Sequence, residues 1–243
     1  MKQDWCSREF RVLVTLGEST TAGGWSTCRE RCWASRLAAL ISDVQSKPVK
    51  LVNSGIGANV ISTRSRAYEH SGKPAGLERL DKHVIAHNPD LLVVSYGLND
   101  ARGGTPSGLF ATELETLVDR VRERCNPLIV LLGPYFMTDF RLGEPIWSHA
   151  SPELLAAFND LIAAVARAKT CLFVDVLSAC GGAEWMVHFD GVHANDLSHL
   201  AVANRIFEVL ARNCSGLALH TKAKEKDIPP WRDESTLKAD YGY

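Results

Sequence analysis

The sequence predicts an α/β chain folded as a three-layer α/β/α sandwich around a five-stranded parallel sheet. Three observations carry that expectation. Short runs rich in Val, Leu and Ile alternate along the chain with longer stretches of helical period. Those runs are continuous rather than alternating, as strands covered on both faces are. Strand then helix, repeated five times with right-handed crossovers, leaves helices on either side of the sheet.

The first strand is 10–16 (FRVLVTL), which stops in a cluster of Gly, Ser and Thr and leads to a helix over 26–45. The second, 49–53 (VKLVN), runs into NSGIGAN at 53–59 and then a helix over 76–87. The third, 90–96 (DLLVVSY), is followed by YGLND at 96–100 and a helix over 107–125. The fourth is 127–132 (PLIVLL). After it, 133–150 is long and aromatic for a connection in a compact domain, which marks it as a candidate binding loop. Tyr135, Phe136, Arg141 and Trp147 are its candidate substrate-lining residues.

A helix over 151–168 opens on Ser151 and Pro152, an N-cap followed by a first-turn proline. Leu154, Leu155, Phe158, Leu161, Ile162 and Val165 then recur at helical spacing and give it an apolar face. The fifth strand is 171–176 (CLFVDV), and the last helix, 195–212, opens at Asn195 or Asp196. Residues 1–216 thus form the main domain. Residues 217–243, charged and broken by prolines, read as a tail or an arm against a partner.

At 243 residues with 46% hydrophobic and 23% charged residues, the chain is long enough to bury a sizeable core. A formal net charge of −1 gives no electrostatic case for nucleic acid or an anionic membrane, so a small molecule is the expected partner. Lys2, Asp4, Arg8, Glu9 and Arg11 interrupt the N-terminus where a signal peptide needs an apolar core. No apolar run approaches the ~20 residues of a membrane helix. A cytoplasmic location is the expectation. Seven irregularly spaced cysteines suggest no disulfide framework. Cys28 and Cys32, without a second pair or a nearby His, do not make a zinc motif. Nothing in the sequence specifies an oligomeric state.

Ligands of such folds bind beyond the carboxyl ends of the strands, and four short blocks collect there. Ser19 follows the first strand, 53–59 the second, 96–100 the third, and DGVH at 190–193 precedes the last helix. A serine hydroxyl is a poor nucleophile until a base takes its proton, and the usual base is a neutral imidazole held in one tautomer by a carboxylate. His193, three residues after Asp190, is placed for this. A turn there would set the carboxylate at one ring nitrogen and Ser19 at the other. Acyl transfer also needs donors aimed at a developing oxyanion. Backbone N–H groups in the turn 55–58 and the carboxamide of Asn99 are of that kind. A nucleophile elbow reads G-x-S-x-G, whereas Gly17, Glu18 and Ser19 continue with Thr20 and Thr21, so that design is excluded.

In order and position these four blocks, spread over residues 17–193, resemble those of the SGNH, or GDSL-like, hydrolase superfamily. Its members carry G-D-S near the N-terminus, a glycine block, G-x-N-D, and D-x-x-H near the C-terminus. The resemblance implies a flavodoxin-like sandwich and a serine-dependent carboxylic ester hydrolase that works through an acyl-serine intermediate. Its members cleave short-chain esters, lipids, thioesters and acetylated sugars, and the lack of a long apolar cap here favours a small or short-chain acyl ester, acetylated carbohydrates among them. Thioesters and lysophospholipids are the alternative for the same site. Ser19 would be the nucleophile, with His193 and Asp190 completing the triad. Asn99 and the backbone N–H groups of Ser19 and of Ala58 or Gly57 would bind the oxyanion. Such chemistry requires no metal or organic cofactor. Arg141 or Arg102 would suit an acidic leaving group.

Two departures stand out. Glu18 occupies the place of the family Asp, which predicts rearranged hydrogen bonds around a retained nucleophile. Counting from Asn53 places Ala58 where the family has its donating glycine. Either Ala58 donates from an ordinary conformation, since Ala tolerates positive φ poorly, or the register shifts and Gly57 donates. The count favours Ala58.

Two other functions fit parts of the sequence. His188, Asp190 and His193 fall within six residues and could hold a divalent metal, which would leave Ser19 and Asn99 without a task. A non-catalytic binding module on the same fold is the other, and the intact Ser, His and Asp argue against it.

Overall fold

The computed structural model describes residues 2–227 and 234–242 of the chain. At its centre β1 (Val12–Gly17), β2 (Lys50–Gly55), β3 (Leu91–Ser95), β4 (Leu128–Leu132) and β5 (Leu172–Val174) pair in parallel in the order β2-β1-β3-β4-β5. Each lies within two residues of its expected start. All five residues of β3 are buried, which is why its sequence shows no alternation.

Around the sheet run α1 (Ser19–Ala22), α2 (Trp33–Val44), α3 (Leu80–His83), α4 (Leu98–Arg102), α5 (Ser107–Arg124), α6 (Pro152–Ala168), α7 (Asp196–Asn213), α8 (Leu219–Lys224) and α9 (Ser235–Tyr241). α2 packs with α7, and α5 with α6, so the sheet is covered on both faces. Trp33, Phe110 and Phe158 are among the largest fully buried side chains, the last two with ring centroids 5.0 Å apart. Full burial of such a side chain stabilises the fold by roughly 1.5–3 kcal/mol. The helix caps follow the sequence. Ser151 Oγ accepts from Leu154 N–H at 3.1 Å, and Asn195 Oδ1 accepts from Leu197 and Ser198 N–H.

Three expected elements differ. The helix over 26–45 begins only at Trp33. Before it, Gly23 (φ 82°) ends α1, and Thr27 and Arg31 are tied to the Asp196 carboxylate at the start of α7 by bonds of 2.6–2.8 Å, so only a 3-10 turn, Arg29–Arg31, forms there. The helix over 76–87 breaks into two 3-10 turns around α3. It folds about Arg79, whose buried guanidinium reaches Gly17 O and Ser54 O at the strand ends. The tail boundary at 217 cuts into the domain. Gly216 N–H bonds Cys6 O at 2.9 Å and Leu217 is buried in the core. Beyond it lie α8 and α9, while 228–233 fall outside the described residues.

All seven cysteines are free thiols. Among the described residues, no helix is long and apolar enough to cross a membrane.

Candidate active site

The strand order reverses at β1, which lies between β2 and β3, and the crevice of such folds opens at that switch point. In register, Gly17 pairs with Gly55 of β2 and Ser95 of β3, so three strands end level. The chain turns through Glu18 (φ −92°, ψ −161°) and delivers Ser19 as the first residue of α1. The approach is close: a Cβ on Gly55 would lie 2.1 Å from Ala22 N, a contact only glycine avoids.

Ser19 Oγ lies 3.0 Å from His193 Nε2, and His193 Nδ1 lies 2.7 Å from Asp190 Oδ2. The other carboxylate oxygen of Asp190 accepts the backbone N–H groups of Val192 (2.9 Å) and His193 (3.0 Å). That turn is what the three-residue spacing encodes. Burial would raise the Asp190 carboxyl, but these backbone bonds and the imidazole outweigh it and hold it at about 2. His193 goes the other way. Burial pushes the ring below its ordinary value, opposed in part by Asp190, and favours the neutral base.

Trp25 stacks flat on the His193 ring, with centroids 3.4 Å apart and planes within 2°. Nothing in the sequence singled it out beyond its place in the run GGWS after Ser19. His188 meets the same carboxylate oxygen as His193, its Nδ1 at 3.3 Å from Asp190 Oδ2. The two imidazoles therefore flank one oxygen. Among the described residues, no group of three or more His, Cys, Asp or Glu side chains could hold a metal ion.

Asn99 sits in α4, which starts after Gly97 at φ 125°, a conformation side chains rarely adopt. Glu18 explains how the turn is held: its buried Oε1 accepts Asn99 N–H at 3.0 Å and Gly97 N–H at 3.2 Å. The longer carboxyl thus ties the end of β1, just before Ser19, to the Asn99 block. Burial and the nearby Asp100 drive its pKa well up, toward the neutral acid. Asp100, fully buried, is raised by desolvation to about 6 while accepting from Ile61 N–H, Ser65 and Thr105.

The Asn99 amide donates one N–H to Asn59 O at 3.1 Å and has a second to offer. Asn59 is itself fixed, its Oδ1 accepting from Tyr96 Oη (2.5 Å) and Arg79 Nη2 (3.1 Å). Arg79 and Tyr96 lie behind the site as its frame and were not legible as such in the sequence.

Ala58 adopts φ 52°, so the expectation of an ordinary conformation is corrected. The left-handed turn costs about 1–2 kcal/mol for a residue with a Cβ. It sets Ala58 against the cavity of about 220 Å³ that also holds Ser19, Asn99 and His193. Gly57 does not line it. Neither Ser19 N–H nor Ala58 N–H has a protein acceptor among the described residues.

Trp25, Arg102, Leu142, Gly143 and Trp147 complete this cavity. Of the expected substrate-lining residues, only Trp147 is among them. Tyr135 is corrected: it is buried, with its hydroxyl 2.8 Å from Ser95 Oγ beneath the strand ends. Arg141 is exposed and stands outside the cavity lining, where its neighbours Leu142 and Gly143 turn inward.

The site can be set beside known proteins. Among solved structures, an acetylxylan esterase from Geobacillus stearothermophilus superposes with a TM-score of 0.62 at 19% identity, over 86% of this chain and 96% of that one. A lipase/acylhydrolase from Enterococcus faecalis does so with 0.64 at 20% identity, over 82% and 95%. At such identities the likeness is one of fold. An arylesterase from Vibrio mimicus is 24% identical over 117 residues, 48% of this chain, and the match spans about half (52%) of that relative's length. The family model of GDSL-like lipases and acylhydrolases matches residues 15–201, from the end of β1 into α7. With most of its length inside that match, the chain belongs to the GDSL-like lipase/acylhydrolase family of ester-bond hydrolases.

Proposed function

We propose that this protein is a serine esterase that hydrolyses small or short-chain acyl esters through an acyl-Ser19 intermediate. The observation that carries this reading is the unbroken hydrogen-bonded chain from Ser19 through His193 to Asp190, opening on a small cavity that also presents Asn99 and Ala58.

In the first half-reaction Ser19 Oγ attacks the ester carbonyl as His193 Nε2 takes its proton, and Asp190 stabilises the imidazolium. The carbonyl oxygen, now an anion, is bound by the Asn99 amide and the N–H groups of Ser19 and Ala58. His193 then returns the proton to the departing alcohol. A water molecule repeats the sequence on the acyl-enzyme and releases the acid. No step calls on a metal or organic cofactor. The narrow cavity favours short acyl groups, and the acetylxylan esterase among the similar folds makes acetylated carbohydrates a reasonable first library.

The test is hydrolysis of p-nitrophenyl acetate and its longer homologues by wild type and Ser19→Ala, with and without chelator. Activity is expected to fall with acyl length, to survive chelator, and to drop by several orders of magnitude in the variant. Asn99→Ala should lower kcat on the order of 10²–10³-fold. Activity that survives Ser19→Ala would contradict the reading.

A further inference from the structure

Arg102, the last residue of α4, is 7% exposed and lines the cavity beside Ser19 and His193. Its guanidinium donates to neutral acceptors only: Nη2 to Leu142 O at 2.8 Å and Nη1 to Asn99 Oδ1 at 3.4 Å. Nε is buried and has no partner. No carboxylate ion-pairs with it among the described residues. Of the acids near it, Glu18 is driven toward neutrality by burial, Asp190 is engaged by His193, and Asp139 accepts from Arg141 and Leu142 N–H. A guanidinium taken out of water without an opposite charge is unfavourable. The open side of this one is the cavity.

Which part of a substrate faces it follows from the reaction. The departing oxygen must face His193 Nε2 to receive its proton, and the carbonyl oxygen must face Asn99 and Ala58. The wall formed by Arg102, Leu142 and Trp147 is left for the acyl chain. Beyond Trp25, on the histidine side, a wider depression of about 640 Å³ lined by His188, Asn195 and Leu197 can take the alcohol.

We propose that Arg102 is an anion subsite of the acyl pocket and that the preferred substrates are half-esters of short dicarboxylic acids. The placement of the acyl group rests on the serine-esterase reading. A carboxylate on the acyl chain would receive charge-assisted hydrogen bonds from the Nη groups of the guanidinium and supply the opposite charge that it lacks.

Two measurements separate this proposal from that reading. The first needs no turnover: calorimetric titration of the Ser19→Ala protein with succinate and with butyrate at fixed ionic strength. Succinate can place one carboxylate on Arg102 and the other on the oxyanion donors. It should bind on the order of 10–100-fold more tightly than butyrate. The preference should vanish when Arg102→Gln is added and persist in part with Arg102→Lys, which keeps the charge. The second compares kcat/KM for monomethyl succinate with that for its neutral isostere, methyl 4-methylpentanoate. Each protein serves as its own reference, so general damage cancels in the ratio. Wild type should favour the half-ester by on the order of 10–100-fold, Arg102→Lys by less, and Arg102→Gln not at all.

Equal binding of succinate and butyrate, or a preference that survives Arg102→Gln, overturns the subsite. A preference for acetylated hydroxy acids in place of half-esters overturns its assignment to the acyl side. Selective succinate binding by a protein that hydrolyses no ester would support the subsite and contradict the esterase reading instead.

Discussion

In the proposed mechanism His193 must be neutral to accept the Ser19 proton, and burial holds its pKa below the ordinary 6.5. The base therefore stays competent as pH falls through that value, and the acid limb of kcat/KM is expected below pH 6.5. Trp25 covers one face of the ring. Trp25→Ala should let water reach the ring, move the acid limb to higher pH and lower kcat/KM about 2–10-fold, the value of a stacked contact. A limb that stays in place would detach Trp25 from the histidine. Ala58 gives a second expectation. Since its φ of 52° is strained for Ala, Ala58→Gly should raise stability by about 1 kcal/mol in denaturant melts while keeping the backbone donor. Ser19, Asp190, His193 and Asn99 were legible because their chemistry shows as short spacings at strand ends. Trp25 was not, and Arg102 stood out only as one of two arginines suited to an acidic leaving group, with nothing to show that it is buried at the cavity. Stacking and burial arise only when segments far apart in the chain meet, and no spacing records them. For the same reason the sequence could show that 133–150 was a loop but not that Tyr135 turns under the sheet and Arg141 away.

At the level of elements, the site depends on how α1 and α4 are held against each other. Glu18 does this by accepting two buried N–H groups of the Asn99 block, a task that a carbonyl oxygen performs as well, and burial beside Asp100 drives its pKa well up, in favour of the uncharged form. Glu18→Gln should therefore be nearly silent in stability. Glu18→Ala leaves two buried donors unsatisfied and should cost about 2–6 kcal/mol, at about 1–3 for each. Its loss of activity should fall on kcat more than on KM, because Asn99 moves. Steady-state kinetics with chemical denaturation reads both; equal behaviour of the two variants would contradict the acceptor role. Strands and long helices were legible from apolar runs and caps. α4 was not, since five residues opened by a glycine at positive φ show no helical period. The segment 76–87 has a helical pattern, yet Arg79 is drawn into the strand ends and breaks it.

Across the whole molecule, pH also acts through buried groups that take no part in the proposed chemistry. His199 of α7 accepts Trp33 N–H at 3.2 Å and is held by burial at about 4, against an ordinary 6.5. The unfolded chain takes up a proton that the folded chain refuses. Its contribution is thus complete above pH 6.5 and is lost as pH falls toward 4, by roughly 2 kcal/mol at pH 5. Asp100 has the opposite sign. Held near 6, it keeps a proton that the unfolded chain has released, so its contribution is lost as pH rises from about 4 to about 6. Between about pH 4 and pH 6 these two contributions oppose each other. In His199→Gln, urea melts should show a smaller loss of stability between pH 8 and pH 5 than wild type shows, and an unchanged difference would contradict the assignment. The parallel sheet and its three layers were readable from the alternation of strand and helix. The core position of His199 was not, because an isolated histidine on a helix carries no sign of its depth.

The proposed activity rests on a serine made nucleophilic by its histidine, and covalent labelling reports that without knowledge of the substrate. The folded protein would be treated with a fluorophosphonate and the adduct mapped by mass spectrometry. One adduct per chain on Ser19, absent in Ser19→Ala and slowed by several orders of magnitude in His193→Ala, is the expected result. An unlabelled wild type, or an adduct that persists in Ser19→Ala, would contradict it.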